Sequence, residues 1–376
     1  MSSRTERQRV VVTGAAGFIA RNLRARLAEL DRVEVVPVTR EDDAKSLAAK
    51  LAGADLVFHL AGANRPADDS GYFADNAAFT GTLCDLAARV APPPAIVFSS
   101  SVQAALDNPY GDSKRLAEEA VAAYGAATGA RFHLLRLPNV FGKWARPDYN
   151  SVVATVCHNA ARGLPPPEGD AAVPLRLAYI DDVVAALVDL IGAGRPSGFA
   201  EIGPVHDTTL GDVVATVAGF AACRGTPFVP RAGSGLARAL HATFLSYLEP
   251  AAFAYNVPVR GDARGDFVEM LKTGDSGQVS YFTARPGVTR GGHFHHTKTE
   301  RFVVVSGTAR FGFRNVDTGE TFATEARGGE GQVIEIPPGW AHDVTNVGAG
   351  DLVCVVWANE VFDPAHPDTV AARVEP

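Results

Sequence analysis

Through the first 250 residues, short β-branched runs alternate with stretches of helical period. Arg9-Val-Val-Val-Thr13, Val33-Glu-Val-Val-Pro-Val-Thr39, Ala54-Asp-Leu-Val-Phe-His-Leu-Ala-Gly62 and Pro94-Ala-Ile-Val-Phe-Ser-Ser-Ser101 are nearly continuous in apolar residues. That is the pattern of strands covered on both faces. Residues 18–27 and 41–53 lie between them with helical periodicity, so the order strand, helix, strand predicts a doubly wound parallel α/β sheet. From Val257 the pattern becomes one of short alternating strands broken by Gly and Pro turns, which predicts an all-β barrel. The seam lies near 230–260, where Phe228-Val-Pro-Arg-Ala-Gly-Ser-Gly235 reads as loop and a short helix runs to Pro250. The expected domains are 1–250 and 251–376.

Composition narrows the class. A chain of 376 residues, 47% of them hydrophobic, can bury a core in each domain. A net charge of -7 excludes nucleic acid as the main partner, because phosphate backbones need a basic face. Any acidic ligand must then be met by local arginines. The four cysteines, Cys84, Cys157, Cys223 and Cys354, form no C-x-x-C pair, which suits a reducing cytoplasm. The charged start leads straight into a strand, with no stretch apolar enough for a signal peptide or membrane span.

The first strand runs into Gly14-Ala-Ala16-Gly17-Phe18-Ile19, a glycine turn opening a helix. That geometry lays backbone N–H groups against a pyrophosphate, and Ala61, at the end of the third strand, is a further cofactor-binding candidate. Arg40 follows the second strand, where an acidic residue would hold a ribose diol. A guanidinium there matches a 2′-phosphate, hence NADPH, although Glu41, Asp42 and Asp43 offer it other partners. His59 reads as a satisfied core residue. Arg65 sits in a loop at a strand's carboxyl end, where open α/β sheets bind ligands, and Asn76 reads as opening a helix. Tyr110 and Lys114 are four apart on one helix face, so the ammonium can lower the phenol pKa for proton transfer, while a serine orients the carbonyl. Ser101 is chosen over its two neighbours. In Arg136-Leu-Pro-Asn139-Val-Phe-Gly142-Lys143-Trp144-Ala-Arg146, the asparagine, lysine and arginines suit a diphosphate or simply fold the loop.

In the second half, His293 and His295 at i and i+2 share a strand face, and Glu300 follows at the head of an apolar run. With His342 they form a donor set for a divalent transition metal. His296 and Lys298 are the nearby candidates for an acid/base, His296 at a parity that points it away.

The glycine turn, with Ala20 in place of a third glycine, and the Ser101, Tyr110, Lys114 set resemble the extended short-chain dehydrogenases/reductases. Against that pattern one strand–helix step is missing after residue 53. Val102-Gln103 stand where dehydratases of the family carry acids, so carbonyl reduction is implied. Gly287-x5-His293-x-His295-x4-Glu300-x6-Gly307 and Gly331-x5-Pro337-x-Gly339-x2-His342-x3-Asn346 resemble the two cupin motifs. Asp262-Ala-Arg264-Gly-Asp-Phe267-Val-Glu269 is similar to the opening of nucleotide-sugar 3,5-epimerases, which implies substrate contacts for Arg264 and Glu269. Together with Asn108-Pro-Tyr110-Gly-Asp-Ser-Lys114 and Phe141-Gly-Lys-Trp144, these stretches resemble the bifunctional capsular-polysaccharide enzymes of the CapF type. The resemblance implies NADPH, Zn2+ and a UDP-linked 4-keto-6-deoxy amino sugar, epimerised at C3 by the cupin and reduced at C4 by the first domain; cupin barrels often pair through edge strands, so a homodimer is expected. Two rival readings are a cupin that only binds or dimerises, and an iron oxygenase fused to a dehydrogenase.

Overall fold

The computed structural model describes residues 7–66, 68–192 and 194–375. The chain divides into two compact units, Met1–Ala218 with Ala232–Glu249 and Gly219–Arg231 with Pro250–Pro376. The segment 219–231 therefore groups with the second unit rather than the first. Its backbone explains why: Val229 N donates to Lys272 O at 2.8 Å and Lys272 N to Pro227 O at 2.7 Å.

The first unit starts with β1 (Gln8–Thr13), α1 (Phe18–Leu27), β2 (Val33–Val38), α2 (Ala44–Leu51) and β3 (Leu56–His59). A helical stretch follows as α3 (Ser70–Tyr72), a π-helical turn Phe73–Ala78 and α4 (Phe79–Ala87). Asn76 thus lies inside a helix and does not open one; its side chain is 1% exposed. Then come β4 (Ala95–Ser101), α5 (Pro109–Thr128), β5 (Phe132–Leu137), β6 (Asn139–Phe141), α6 (Val152–Ala161), β7 (Pro174–Tyr179), α7 (Ile180–Asp189), β8 (Gly198–Phe199), β9 (Val205–Thr209), α8 (Leu210–Cys223) and α9 (Gly235–Leu245). The main sheet is parallel in the order β2-β1-β3-β4-β5-β8. With β3 directly beside β1, no strand lies beyond β2 among the described residues, which is the step missing from the sequence pattern. Val11, Val57, Ile96 and Phe98 of the sheet pack with Leu47, Leu51 and Leu83. A small sheet, β6-β7-β9, lies on the chain after β5.

Helix α5 is well specified. The Asn108 side chain accepts from Gly111 N at 2.8 Å, Pro109 occupies the first turn, and Gly129 ends the helix at φ +71.

The second unit holds β10 (Val259–Asp262), β11 (Gly265–Lys272), β12 (Gln278–Ala284), β13 (Thr289–Phe294), β14 (Glu300–Ser306), β15 (Thr308–Asn315), β16 (Thr321–Arg327), β17 (Val333–Ile336), β18 (Trp340–Asn346), β19 (Leu352–Ala358) and β20 (Val370–Ala371). They form two antiparallel sheets, β10-β11-β12-β19-β14-β17 and β16-β15-β18-β13-β20. Phe282, Phe302, Phe311, Ile334, Ile336, Val344 and Leu352 fill the space between them, each at the inward parity of its strand. Among the described residues no helix is long and apolar enough to cross a membrane.

Candidate functional site

The glycine turn is dictated by crowding. Gly14 has φ +63, and a Cβ there would lie 2.8 Å from Ala61 Cα, so the chain after β1 runs against the end of β3. Gly17 caps α1 with no side-chain bond, leaving the helix's first N–H groups without a side-chain acceptor. This is the cradle a dinucleotide pyrophosphate takes.

Behind it lies a polar chain whose proton order can be deduced. Thr13 Oγ1 accepts from Leu60 N and Ala61 N, both at 3.1 Å, so its own proton goes to His59 Nδ1 at 2.8 Å. His59 Nε2 then donates to Thr80 Oγ1 at 2.8 Å, and Thr80 to Asn76 O at 2.6 Å. Burial lowers the His59 pKa to about 3, so it is a neutral, satisfied core residue as its apolar run predicts. The Asn76 amide brackets the next loop, accepting from Ala63 N and donating to Ala63 O and Ser113 Oγ, all at 3.0 Å.

The hydroxyls of β4 sort themselves. Ser99 donates to His59 O at 3.3 Å and Ser100 bonds Glu118, whereas Ser101 accepts from Gln103 N at 3.2 Å. Burial raises the Tyr110 phenol pKa, with Ser101 pulling the other way. Lys114, 5% exposed, donates to Ser99 O at 3.1 Å. Burial lowers its pKa from 10.5 to about 8.

A stability consequence follows. Between pH 8 and 10.5 the unfolded chain binds the proton that folded Lys114 lacks, so stability rises with pH across this window and the penalty is complete below it. Lys114→Met is expected to stabilise the cofactor-free protein at pH 7 by about 1–3 kcal/mol and to flatten that rise, while abolishing reduction. Urea unfolding at pH 7 and pH 10 checks it; identical midpoints for both proteins at both values count against it.

Arg40 is exposed and has no side-chain partner among the described residues. Two of the three acids beside it are used elsewhere: Asp42 pairs with Lys50 at 2.6 Å, and Asp43 caps α2 by accepting from Ser46 N at 2.8 Å. Arg65 and Asn139 are likewise exposed and without side-chain partners among the described residues. The rest of the 136–146 loop is occupied with folding. Arg136 forms a bidentate pair with Glu118 at 2.9 and 2.7 Å, Lys143 pairs with Asp181, Trp144 lies under Arg21 at 5.4 Å, and Arg146 stacks on Tyr149 at 5.2 Å.

In the barrel, the donor atoms of His293, His295, Glu300 and His342 lie within 4.8 Å of one another. Glu300 heads β14 and His342 lies on β18. The pairing of β13 with β18 shifts register at Gly291-Gly292, both at positive φ, so that Arg290 faces Val344 and His293 faces His342. Without the bulge these two side chains would fall on opposite faces. A Cβ on Gly291 would lie 2.8 Å from His342 O.

The donor chemistry fits a metal ion. His295 Nδ1 meets the Asp368 carbonyl and His342 Nδ1 the Trp340 carbonyl at 3.3 Å; carbonyls only accept, so both protons sit on Nδ1. The Nε2 atoms, 3.4 and 3.5 Å from Glu300 Oε2, are left as lone pairs, and that of His295 is buried without a hydrogen bond. Burial, with His342 and His295 nearby, lowers the His293 pKa to about 4. Two or three neutral imidazoles and one carboxylate form a zinc-type set.

Of the two acid/base candidates, Lys298 points inward, its Nζ 3.8 Å from Glu300 Oε1. His296 is exposed and stacks on Phe294, away from the quartet, as its parity predicts. Arg264 is exposed and forks onto Asp262 at 3.0 and 2.6 Å; Glu269 pairs with Lys272 at 2.7 Å and Arg260 at 3.4 Å. Arg290 went unselected in the sequence. It donates from Nε to Thr283 O at 2.9 Å, while its Nη2 is buried without a partner on the face that carries His342. The signal was the Gly-Gly pair after it, a bulge that resets parity.

Residues 10–203 match the NAD dependent epimerase/dehydratase family, and residues 260–370 the polysaccharide biosynthesis C-terminal domain. A UDP-2-acetamido-2,6-beta-L-arabino-hexul-4-ose reductase of Pseudomonas aeruginosa is 46% identical over 97% of this chain and 99% of its own. The capsular polysaccharide assembling protein CapF from Staphylococcus aureus superposes with TM-score 0.90 at 39% identity, covering 97% of this chain and all of that one. A Thermus thermophilus UDP-glucose 4-epimerase in complex with NAD shares the fold of the first unit, with TM-score 0.54, 20% identity, 64% of this chain and 99% of that one. The chain belongs to the NAD dependent epimerase/dehydratase family, in its CapF-type branch of reductases joined to a polysaccharide-biosynthesis barrel.

Proposed function

We propose that this protein converts a UDP-2-acetamido-2,6-dideoxy-4-hexulose in two steps, C3 epimerisation in the barrel and NADPH-dependent reduction of the C4 ketone in the first unit. The observation that carries the reading is the presence, on one chain, of Ser101 acting on the Tyr110 phenol and of a four-donor quartet, each in its own unit. Chemistry orders the steps. A C3 proton is acidic only while C4 is a ketone, because the carbanion delocalises onto that oxygen; reduction removes the ketone, so epimerisation comes first.

In the barrel, His293, His295, Glu300 and His342 would hold zinc. When bound, such an ion supplies a Lewis-acidic charge for an oxygen gaining electron density. Lys298, buried beside Glu300, is the side chain we assign to moving the C3 proton, and Arg264, Glu269 and Arg290 to holding the nucleotide-sugar. In the first unit Ser101 orients the carbonyl and Tyr110 gives its phenolic proton to the C4 oxygen as hydride arrives. Lys114 binds the cofactor ribose, and Gly14 to Ile19 with Ala61 hold its pyrophosphate. Unpartnered Arg40 supports the 2′-phosphate of NADPH, and unpartnered Arg65 and Asn139 suit the UDP group. The free thiols of all four cysteines support a cytoplasmic setting. Exposed Phe322 on β16 and Val333 on β17 support homodimerisation through barrel edges.

The test is incubation with the UDP-4-keto sugar in D2O without NADPH, following the C3 proton by NMR. Exchange of C3 without a hydride donor is the expected result. Absence of exchange, with hydride transfer intact once NADPH is added, would leave a plain 4-reductase and favour a barrel that only binds.

A further inference from the structure

The segment after β19 straps the quartet in place. The Asp368 carboxylate accepts three consecutive amides, His296 N at 2.8 Å, Thr297 N at 2.7 Å and Lys298 N at 2.8 Å, together with the Thr297 hydroxyl at 3.0 Å. Its backbone carbonyl takes the Nδ1 proton of His295. Beyond it, β20 pairs with β13 at His293↔Ala371 and Phe294↔Val370, and Ala372 N donates to Gly292 O at 3.0 Å. Arg314 Nε holds Arg373 O at 2.8 Å, and Val374 is 7% exposed. One residue thus grips the loop between two metal-donor strands through its side chain and selects the tautomer of a donor through its main chain.

We infer that Asp368 is a positioning residue for the metal quartet: its carboxylate sets the 296–298 loop so that its carbonyl keeps His295 Nε2 free as a donor. The physics is that of outer partners of metal ligands. A histidine in water exchanges between two tautomers and many ring orientations, and a carbonyl fixed at Nδ1 removes both freedoms before an ion arrives. The carboxylate's charge-assisted bonds to main-chain amides in turn fix that carbonyl. Residues 363–367 just before it are exposed, so the hold on the donor loop starts at Asp368 and continues through β20.

This inference rests on reading the quartet as a metal site, and the experiment separates the two. Full-length wild type, Asp368→Ala, Asp368→Asn and the control Asp363→Ala are stripped with chelator and titrated with zinc against a chromophoric competitor; cobalt(II) is then used to read the ligand field. Among the described residues Asp363 bonds within its own turn, to Ala365 N at 2.9 Å and His366 at 3.1 Å. Asp368→Ala is expected to weaken zinc binding about 10–100-fold and to alter the cobalt d–d bands, with Asp368→Asn intermediate and Asp363→Ala unchanged. Unchanged affinity and an unchanged cobalt spectrum in a folded Asp368 variant overturn the inference while leaving the metal site standing. A wild type that binds neither ion overturns the metal reading itself. Should Asp368→Ala fail to fold, the isosteric Asp368→Asn carries the test.

Discussion

Tyr110→Phe is expected to slow hydride transfer from NADPH by about 10³-fold, with C3 exchange in D2O unchanged. The argument begins with burial. Burial raises the phenol pKa, and Ser101 offsets only part of that, so at neutral pH Tyr110 holds its proton. A held proton is what reduction needs, since the C4 oxygen gains negative charge as hydride arrives. The phenylalanine ring keeps the contact with Tyr72, whose ring centroid is 5.5 Å away, and removes only the hydroxyl, so folding is spared. NADPH absorbance measured under single turnover, beside NMR exchange at C3, separates the steps. A Phe variant that reduces within about tenfold of wild type would remove Tyr110 from the acid role. The activity should hold flat through neutral pH, because burial moves the Tyr110 titration further up, away from that range.

Much of this was legible along the chain because it is local. Strand runs, the turn at Gly14 and the i, i+2 histidines are written in periods of a few residues, and the absent strand–helix step showed in the spacing between residues 39 and 54. What stayed hidden depends on distance or direction. Asp368 lies 73 residues from His295 and 72 from His296 in sequence, and no local period announces such a contact. Helical spacing placed Lys114 on the face of Tyr110, yet it is silent about where a long flexible side chain turns, here to the Ser99 carbonyl. Asn76 read as a helix start because capping residues are common there, but a π turn within a continuous helix carries it inward. The loop after β5 offered cations suited to a diphosphate, and the acids that claim Arg136 and Lys143, Glu118 and Asp181, lie on α5 and α7.

His342→Ala carries the largest expected effect in the barrel. Its ring sits opposite Phe313 and His293 in the strand register, 1% exposed, with centroids 4.6 Å from His293 and 5.4 Å from His295. Removing it takes one donor of four. Two losses are expected together. Bound zinc falls below one per chain, and C3 exchange drops by at least about 10²-fold, the scale set by losing one preorganised stabiliser of developing charge. Hydride transfer to a 4-keto substrate that needs no epimerisation stays within about twofold, because Ser101, Tyr110 and Lys114 belong to the other unit. The cavity left beside Phe302, whose ring centroid lies 6.3 Å away, costs about 1–3 kcal/mol, so exchange is measured well below the thermal midpoint. Metal content, exchange and reduction are read on the same sample. If exchange persists at the wild-type rate while zinc is gone, the quartet is structural and the C3 chemistry belongs to Lys298 and its neighbours without it; if all three fall together, the variant has unfolded rather than lost a donor.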